Sequence, residues 1–496
     1  MSDYQKYTEL MGKVADVNYA AAVLQWDQEV YMPENGADAR ARQLASLSGI
    51  SHELSTDPAL GSLLDSLQND QTLDDRQRRN VKESLRNYTD RKKYSTAFVV
   101  EMSKTISQSF QAWQSAKKQS DFSVFAPMLK KLVDLKLQEC ELLGYTGHPY
   151  DALLNQYEPG LTTAATEKLF SEVRDQLVPF VKQIFSKPVP DDSFTNLHYA
   201  RQPQWDFGIG LLKSMGYDFS SGRQDISSHP FTTNFSSRDV RVTTRINEND
   251  LKEMIWSCIH EGGHALYEQG IPESEYGLPS GEYLSLGIHE SQSRLWENNV
   301  GRSLAYWEHH YPVLQGYFPE QLSGVPLQMM YRSMNKVEPS LIRTNADELT
   351  YHFHIMIRFE IEKALMEKKL KVEELPEYWN ARYKEYLGIE VESDSKGVLQ
   401  DVHWSHGSFG YFPTYSIGSF YAAQFMATAV KEIPGLWNDI RSGNTARLLS
   451  WLREKIHRHG RLYTAEELCI QVTGEPLRFG HFMQYAKEKY SDLYSL

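Results

Sequence analysis

The segment Trp256-Ser257-Cys258-Ile259-His260-Glu261-Gly262-Gly263-His264-Ala265-Leu266-Tyr267 constrains this chain more than any other. Residues four apart project from one face of an α-helix, so His260 and His264 can bind one metal ion together. Glu261 follows the first histidine by about 100° of rotation. It can reach an activated water without being a ligand itself, which is where a general base is needed. The spacer Gly262-Gly263 is costly, because each glycine weakens a helix interior by about 1 kcal/mol relative to alanine. A surface helix has no use for that cost; a helix that must admit a substrate strand or a second ligand helix does. Met254, Ile255, Trp256, Ile259, Leu266 and Tyr267 are apolar flanks, so the segment is expected to be buried. A buried glutamate between two histidines needs a partner, and a metal ion satisfies all three.

Catalytic zinc sites use three protein ligands and leave a fourth position for water. The pattern HExxHxxGxxH is excluded, since Tyr267 and Gly270 stand where it requires Gly and His. Glu268, Glu273, Glu275 and Glu282 crowd a loop containing Gly270, Pro272, Gly277, Pro279 and Gly281 and are disfavoured. Glu290, 26 residues past His264, opens a helix after that loop and is the favoured third ligand. His289 is its competitor, and the two project about 100° apart, so they do not both turn to one ion easily. Arg294 shares the face of Glu290 and can orient its carboxylate, or form an ordinary i,i+4 ion pair.

The 496 residues, 41% hydrophobic and 24% charged, supply ample core for two or three domains or one large helical body. A formal net charge of −13 argues against a nucleic-acid partner and gives no support to binding anionic lipid. Cys140, Cys258 and Cys469 have no CxxC spacing and read as reduced thiols of a cytoplasmic chain. Cys258 faces off the histidine stripe and reads as core. Met1 to Tyr7 is polar, without an apolar signal core, and no run approaches membrane-spanning length.

From Tyr4 to about Asn155 the apolar spacing predicts helix almost throughout. The stretch Leu24 to Gly36 stands out as a core turn, broken by Pro33 and Gly36. Gly144 to Gly160 reads as turn, short helix, turn. Residues 161 to 225 read as helix again, with breaks near Lys187-Pro188 and Gly216 to Gly222. Asp239 to Ile246 is the one convincing strand, and a small sheet is expected against the motif helix. No repeat, low-complexity tract or Gly/Ser linker appears. One mainly α-helical domain over 1–496, with two lobes flanking a cleft, is the expected organisation.

A set of motifs then points to a family. His229-Pro230-Phe231, Asp239-x-Arg241-x-Thr243, His260-Glu261-Gly262-Gly263-His264 and His289-Glu290-Ser291-Gln292-Ser293-Arg294 occur in order. They are followed by Ile342-Arg343-Thr344-Asn345-Ala346-Asp347-Glu348 and Gly397-Val398-Leu399-Gln400-Asp401-Val402-His403-Trp404. Together they resemble the carboxypeptidase Taq family of metallocarboxypeptidases, and Gln25-Trp26-Asp27 and Tyr150 to Leu154 extend the likeness into the amino-terminal half. The resemblance implies a zinc enzyme, sometimes active with cobalt, that removes single residues from peptide carboxyl termini. It implies broad specificity with carboxyl-terminal proline disfavoured, and usually a homodimer. It also implies a saddle-like, nearly all-helical fold with a deep groove and one small sheet, similar to neurolysin and angiotensin-converting enzyme. Carried over residue by residue, His260, His264 and Glu290 bind zinc and Glu261 is the catalytic glutamate.

Such a reaction needs a donor for the oxyanion and a cation for the terminal carboxylate. The segment His403 to Tyr415 is dense in donors; Tyr415 and His403 are the first candidates, with Tyr411 and His406 behind them. Arg343 is the first candidate for the carboxylate and Arg241 the second, the alternative for Arg241 being an ion pair with Asp239. Asp347, Glu348 and Asp401 read as supporting acids, and Asp401 as able to hold a neighbouring histidine tautomer. An oligopeptidase or dipeptidase on the same fold is the rival reading.

Overall fold

Helices in this chain start where the sequence supplies a side chain for the open backbone N–H groups of a first turn. Ser2, Ser95, Thr162 and Asp250 cap the helices Asp3–Val30, Thr96–Gln119, Thr163–Phe185 and Leu251–Gly270 in this way. The computed structural model describes all 496 residues, Met1–Leu496, of which 70% are helical, so the mainly α expectation holds. The amino-terminal third is helical as expected, including the short helix Pro149–Tyr157. The turn at Leu24 to Gly36 is smaller than expected. The first helix continues to Val30, and only Tyr31 to Gly36 leave it, because proline at 33 cannot extend the ladder.

The sheet has three strands, β1 (Gly222–Ile226), β2 (Thr232–Ser236) and β3 (Asp239–Thr244), in the order β1-β3-β2. β3 runs parallel to β1 and antiparallel to β2, with Gly222 beside Val240 and Thr232 beside Val242. The sequence places β3 correctly but reads 222–225 as helix or break. Gly-Arg-Gln-Asp-Ile carries no apolar alternation, so only pairing with β3 makes it a strand. Val240 and Val242 are buried, and Thr244 Oγ1 meets Ser257 Oγ at 2.7 Å, which seats the sheet on the motif helix.

The chain forms two compact units, each assembled from three stretches. The first comprises Met1–Arg91, Pro190–Met334 and Tyr421–Leu477 and contains the sheet and the motif helix. Part of its core is Tyr7, Leu60, Leu64, Leu67, Leu73, Val81 and Leu278. The second comprises Lys92–Val189, Asn335–Phe420 and Arg478–Leu496. At its centre lies the helix Tyr351–Met366, on which Phe353, Ile355, Met356, Ile357, Phe359 and Ile361 are all buried, the mark of a helix enclosed on every side. No helix is long and apolar enough to cross a membrane.

Candidate metal centre

The motif helix, Leu251–Gly270, is pinned through Met254, Ile255, Cys258, Ile259 and Leu266, all buried. That leaves His260 and His264 together on another face, their rings 4.9 Å apart. The two glycines serve different neighbours. A Cβ on Gly263 would lie 2.7 Å from the backbone of Gln292 and Ser293, so only glycine lets the helix Leu286–Arg294 pack here. A Cβ on Gly262 would instead meet the side-chain ends of Leu212 and Met215, at 2.8 and 2.9 Å.

This close approach brings Glu290 to the histidines. Its Oε2 is 3.3 Å from His264 Nε2 and 3.7 Å from His260 Nε2, and the donor atoms of all three residues lie within 4.8 Å of one another. Tetrahedral coordination with ordinary metal–ligand bonds near 2 Å places donors about 3.3 Å apart, so the set fits a metal ion. Arg294 Nε donates to Glu290 Oε1 at 2.7 Å and turns the other oxygen toward the histidines. His289 turns elsewhere: its Nε2 meets Glu268 Oε1 at 2.8 Å. Burial opposes charge on Glu290, but Arg294 and the two histidines outweigh it and hold its carboxyl well below the usual range. Burial also draws the His264 imidazole down to about 3, which leaves it neutral, the form that binds metal.

His260 has a second partner that sequence reasoning missed. Its Nδ1 lies 2.8 Å from Glu297 Oε2, which also accepts from Arg294, while Arg302 donates to Oε1, both at 3.1 Å. Arg302 in turn lies flat on Trp256, 3.9 Å from the ring centre. A carboxylate on Nδ1 fixes the tautomer that presents the Nε2 lone pair. Glu297 sits in a π-helical turn, Leu295–Gly301, a local widening that recurs at functional sites. The signal was legible, since a position seven after Glu290 returns to the same helix face.

Glu261 is buried beside the histidines, and its Oε2 accepts from Thr232 Oγ1 at 2.7 Å. Burial pushes its carboxyl above the usual range, opposed by His260 and by the Thr232 hydroxyl. Thr232 and Asn234 lie on one face of β2, and Asn234 Nδ2 donates to Glu268 Oε2 at 2.9 Å. One strand therefore holds two glutamates of the motif helix seven residues apart.

The model of the carboxypeptidase Taq (M32) metallopeptidases matches residues 6–490. The chain belongs to that family. It is 38% identical to carboxypeptidase 1 of Bacillus subtilis over 496 residues, 99% of each chain. It is 38% identical to thermostable carboxypeptidase 1 of Thermus thermophilus over 504 residues, again 99% of each. The crystal structure of the M32 carboxypeptidase of Deinococcus radiodurans superposes with a TM-score of 0.98, at 40% identity and with all of both chains covered. This member of the family is accordingly an enzyme, a metallocarboxypeptidase.

The remaining candidates have partners of their own. Arg241, on β3, makes a two-pronged pair with Asp239, both contacts 2.8 Å, and stacks between Trp26 and Phe235 at 4.3 and 4.8 Å. In the second unit Arg343 donates twice to Asp401 Oδ1, at 3.1 and 2.9 Å, and once to Tyr351 Oη at 2.9 Å. Arg358 Nε donates to Asp401 Oδ2 at 2.7 Å. Asp401 thus receives two guanidiniums instead of holding a histidine; His403 Nδ1 is buried without a partner. His403 Nε2 lies 3.2 Å from Tyr415 Oη, and burial draws His403 down to about 3. Tyr411 packs edge-on against Tyr157, and His406 packs tilted on Phe110. Arg358 was missed: its spacing to Glu362 reads as an ordinary i,i+4 pair, and nothing local points to Asp401.

Proposed function

We propose that the chain is a zinc-dependent carboxypeptidase that cleaves the last peptide bond of peptides, with Glu261 as general base. The observation that carries this reading is the convergence of His260 Nε2, His264 Nε2 and Glu290 Oε2, with the Glu261 carboxylate held beside them by Thr232. Zinc bound there supplies Lewis acidity, with cobalt as a possible substitute. Glu261 takes the proton of the attacking water on its carboxylate and passes it to the nitrogen of the leaving amine. Thr232 keeps one carboxylate oxygen in place through that transfer.

Arg343 is the proposed ligand of the terminal carboxylate and Arg241 the second choice. The support for Arg343 is charge: with Arg358 it shares a single, part-buried carboxylate, so the cluster holds one positive charge in excess. Arg241 is matched one to one by Asp239. Tyr415 and His403 are proposed to stabilise the oxyanion, a role that rests on the motif resemblance and on their hydrogen-bonded pairing. We further read the enzyme as a cytoplasmic homodimer of broad specificity that disfavours terminal proline.

The deciding experiment compares a free peptide with its carboxyl-amidated form. Strong preference for the free peptide is expected, and equal cleavage of both would overturn the carboxypeptidase reading in favour of an oligopeptidase.

A further inference from the structure

We propose that His289 and Glu268 form a positioning pair for the metal ligand His264, acting through the face of its ring. This rests on the metal-site reading above and concerns how one ligand of that site is held. The two histidines of the motif are held by different means. His260 has a carboxylate on Nδ1, 2.8 Å away. His264 has none: its Nδ1 is buried and finds no hydrogen-bond partner. A ligating histidine ordinarily takes its tautomer and ring orientation from the hydrogen bond of its second nitrogen. Nothing of that kind chooses between the two flipped orientations of the His264 ring.

What touches that ring instead is His289. The two imidazoles lie nearly parallel, 22° apart in plane and 4.4 Å between centres. His289 is in turn held at its Nε2 and by neighbouring rings. Its Nε2 meets Glu268 Oε1 at 2.8 Å, and the other Glu268 oxygen accepts from Asn234 Nδ2 at 2.9 Å. Tyr283 closes on it edge-on at 4.8 Å, and Tyr267 at 5.6 Å. The line from β2 through Asn234, Glu268 and His289 ends on the flat of His264. Stacking thus supplies one part of what the missing hydrogen bond would give: it restricts the ring to its plane, while Glu290 at 3.3 Å from Nε2 selects the orientation within it. Because Thr232 on the same strand holds Glu261, β2 sets both the base and the second ligand.

The test is zinc affinity, measured on the full-length protein by competition with a chromogenic chelator, independently of turnover. His289→Ala is expected to weaken zinc binding about tenfold or more, the usual cost of losing an outer support. His289→Phe keeps a flat ring and is expected to recover most of that loss. Glu268→Gln is expected to fall between wild type and His289→Ala. Wild-type affinity in His289→Ala would overturn the proposal. So would a His289→Phe protein as weak as His289→Ala, since the nitrogen and not the ring face would then matter. If His289→Ala does not fold, Glu268→Gln decides alone, and unchanged affinity there overturns the pair. Glu290→Ala is the separate control: undiminished zinc binding in that variant would overturn the metal site itself, not its support.

Discussion

Around His260 and His264, the carboxylates of Glu261, Glu290 and Glu297 face only two guanidiniums, those of Arg294 and Arg302. In the second unit the proportions are reversed, and the guanidiniums of Arg343 and Arg358 share the one carboxylate of Asp401. Removing a charge from water costs several kcal/mol unless a partner repays it. An unbalanced buried set is therefore costly in the free protein and is relieved by a ligand of the missing sign. The second set lacks an anion. In the first, burial disfavours charge on His260, but Glu290 and Glu297 raise its imidazole above the usual range, so a metal ion bound there would replace that proton. These are the two requirements of the function proposed above: a metal ion at the first set and a terminal carboxylate at the second.

The largest effects should come from the anionic set. Glu261→Gln leaves the three donor atoms in place, so metal content should stay at the wild-type level while kcat falls about 10²- to 10⁴-fold. Glu290→Ala should lose the metal together with the activity. Metal analysis beside peptide hydrolysis separates the two variants. A Glu261→Gln protein with full metal and undiminished turnover would remove Glu261 from the mechanism.

The cationic set should answer next. Asp401→Asn leaves two buried guanidiniums without an anion and should destabilise the protein by about 3–5 kcal/mol, read from denaturant unfolding. Arg343→Met should instead raise KM for free peptides and shrink their advantage over amidated ones. If Arg343→Met leaves that advantage untouched, the excess charge serves stability alone and another cation reads the terminus.

A third carboxylate sharpens the contrast with Asp401. Two arginines outweigh burial and hold the Asp401 carboxyl far below its usual range. Glu362 lies in the same unit and is fully buried, but no arginine reaches it. Burial pushes it up to about 7, against hydrogen bonds from Tyr150 Oη, the Gly410 N–H and Trp404 Nε1. The folded state thus keeps a proton that the unfolded chain releases near 4.5. The associated stability is complete below pH 4.5 and is lost as pH rises toward 7, by about 3 kcal/mol at roughly 1.4 kcal/mol per pH unit. Glu362→Gln cannot ionise, so its thermal midpoint should decline less than wild type between pH 4.5 and 7.5. Parallel curves would mean that the three donors already keep Glu362 ionised.

How much of this was legible follows from distance along the chain. His260 and His264 share one helix face by spacing alone, with Glu261 about 100° around from the first, and Glu290 with Arg294 repeats the logic four residues apart. β3 shows its alternation, whereas β1 is a strand only because β3 lies beside it. Arg343, Arg358 and Asp401 span 58 residues, and no local pattern says that two arginines will meet one aspartate. Thr232 was hidden for the same reason: its value lies in facing Glu261, 29 residues away.

The glycine pair allows the finest test, because the sequence treats Gly262 and Gly263 alike and the fold does not. An alanine Cβ at 263 would sit 2.7 Å from backbone atoms of the helix that carries Glu290. Backbone cannot rotate aside, so the two helices must separate, at a cost of about 1–3 kcal/mol. At 262 the obstacles are the ends of Leu212 and Met215 side chains, which have other rotamers. Both substitutions gain the same helix propensity, about 1 kcal/mol. Gly262→Ala should therefore lie near neutrality in unfolding free energy, with metal affinity unchanged. Gly263→Ala should lose both stability and zinc affinity, since the displaced helix takes Glu290 with it. Equal zinc affinity in the two variants would mean that the close approach at 263 packs the unit without setting the ligand distances.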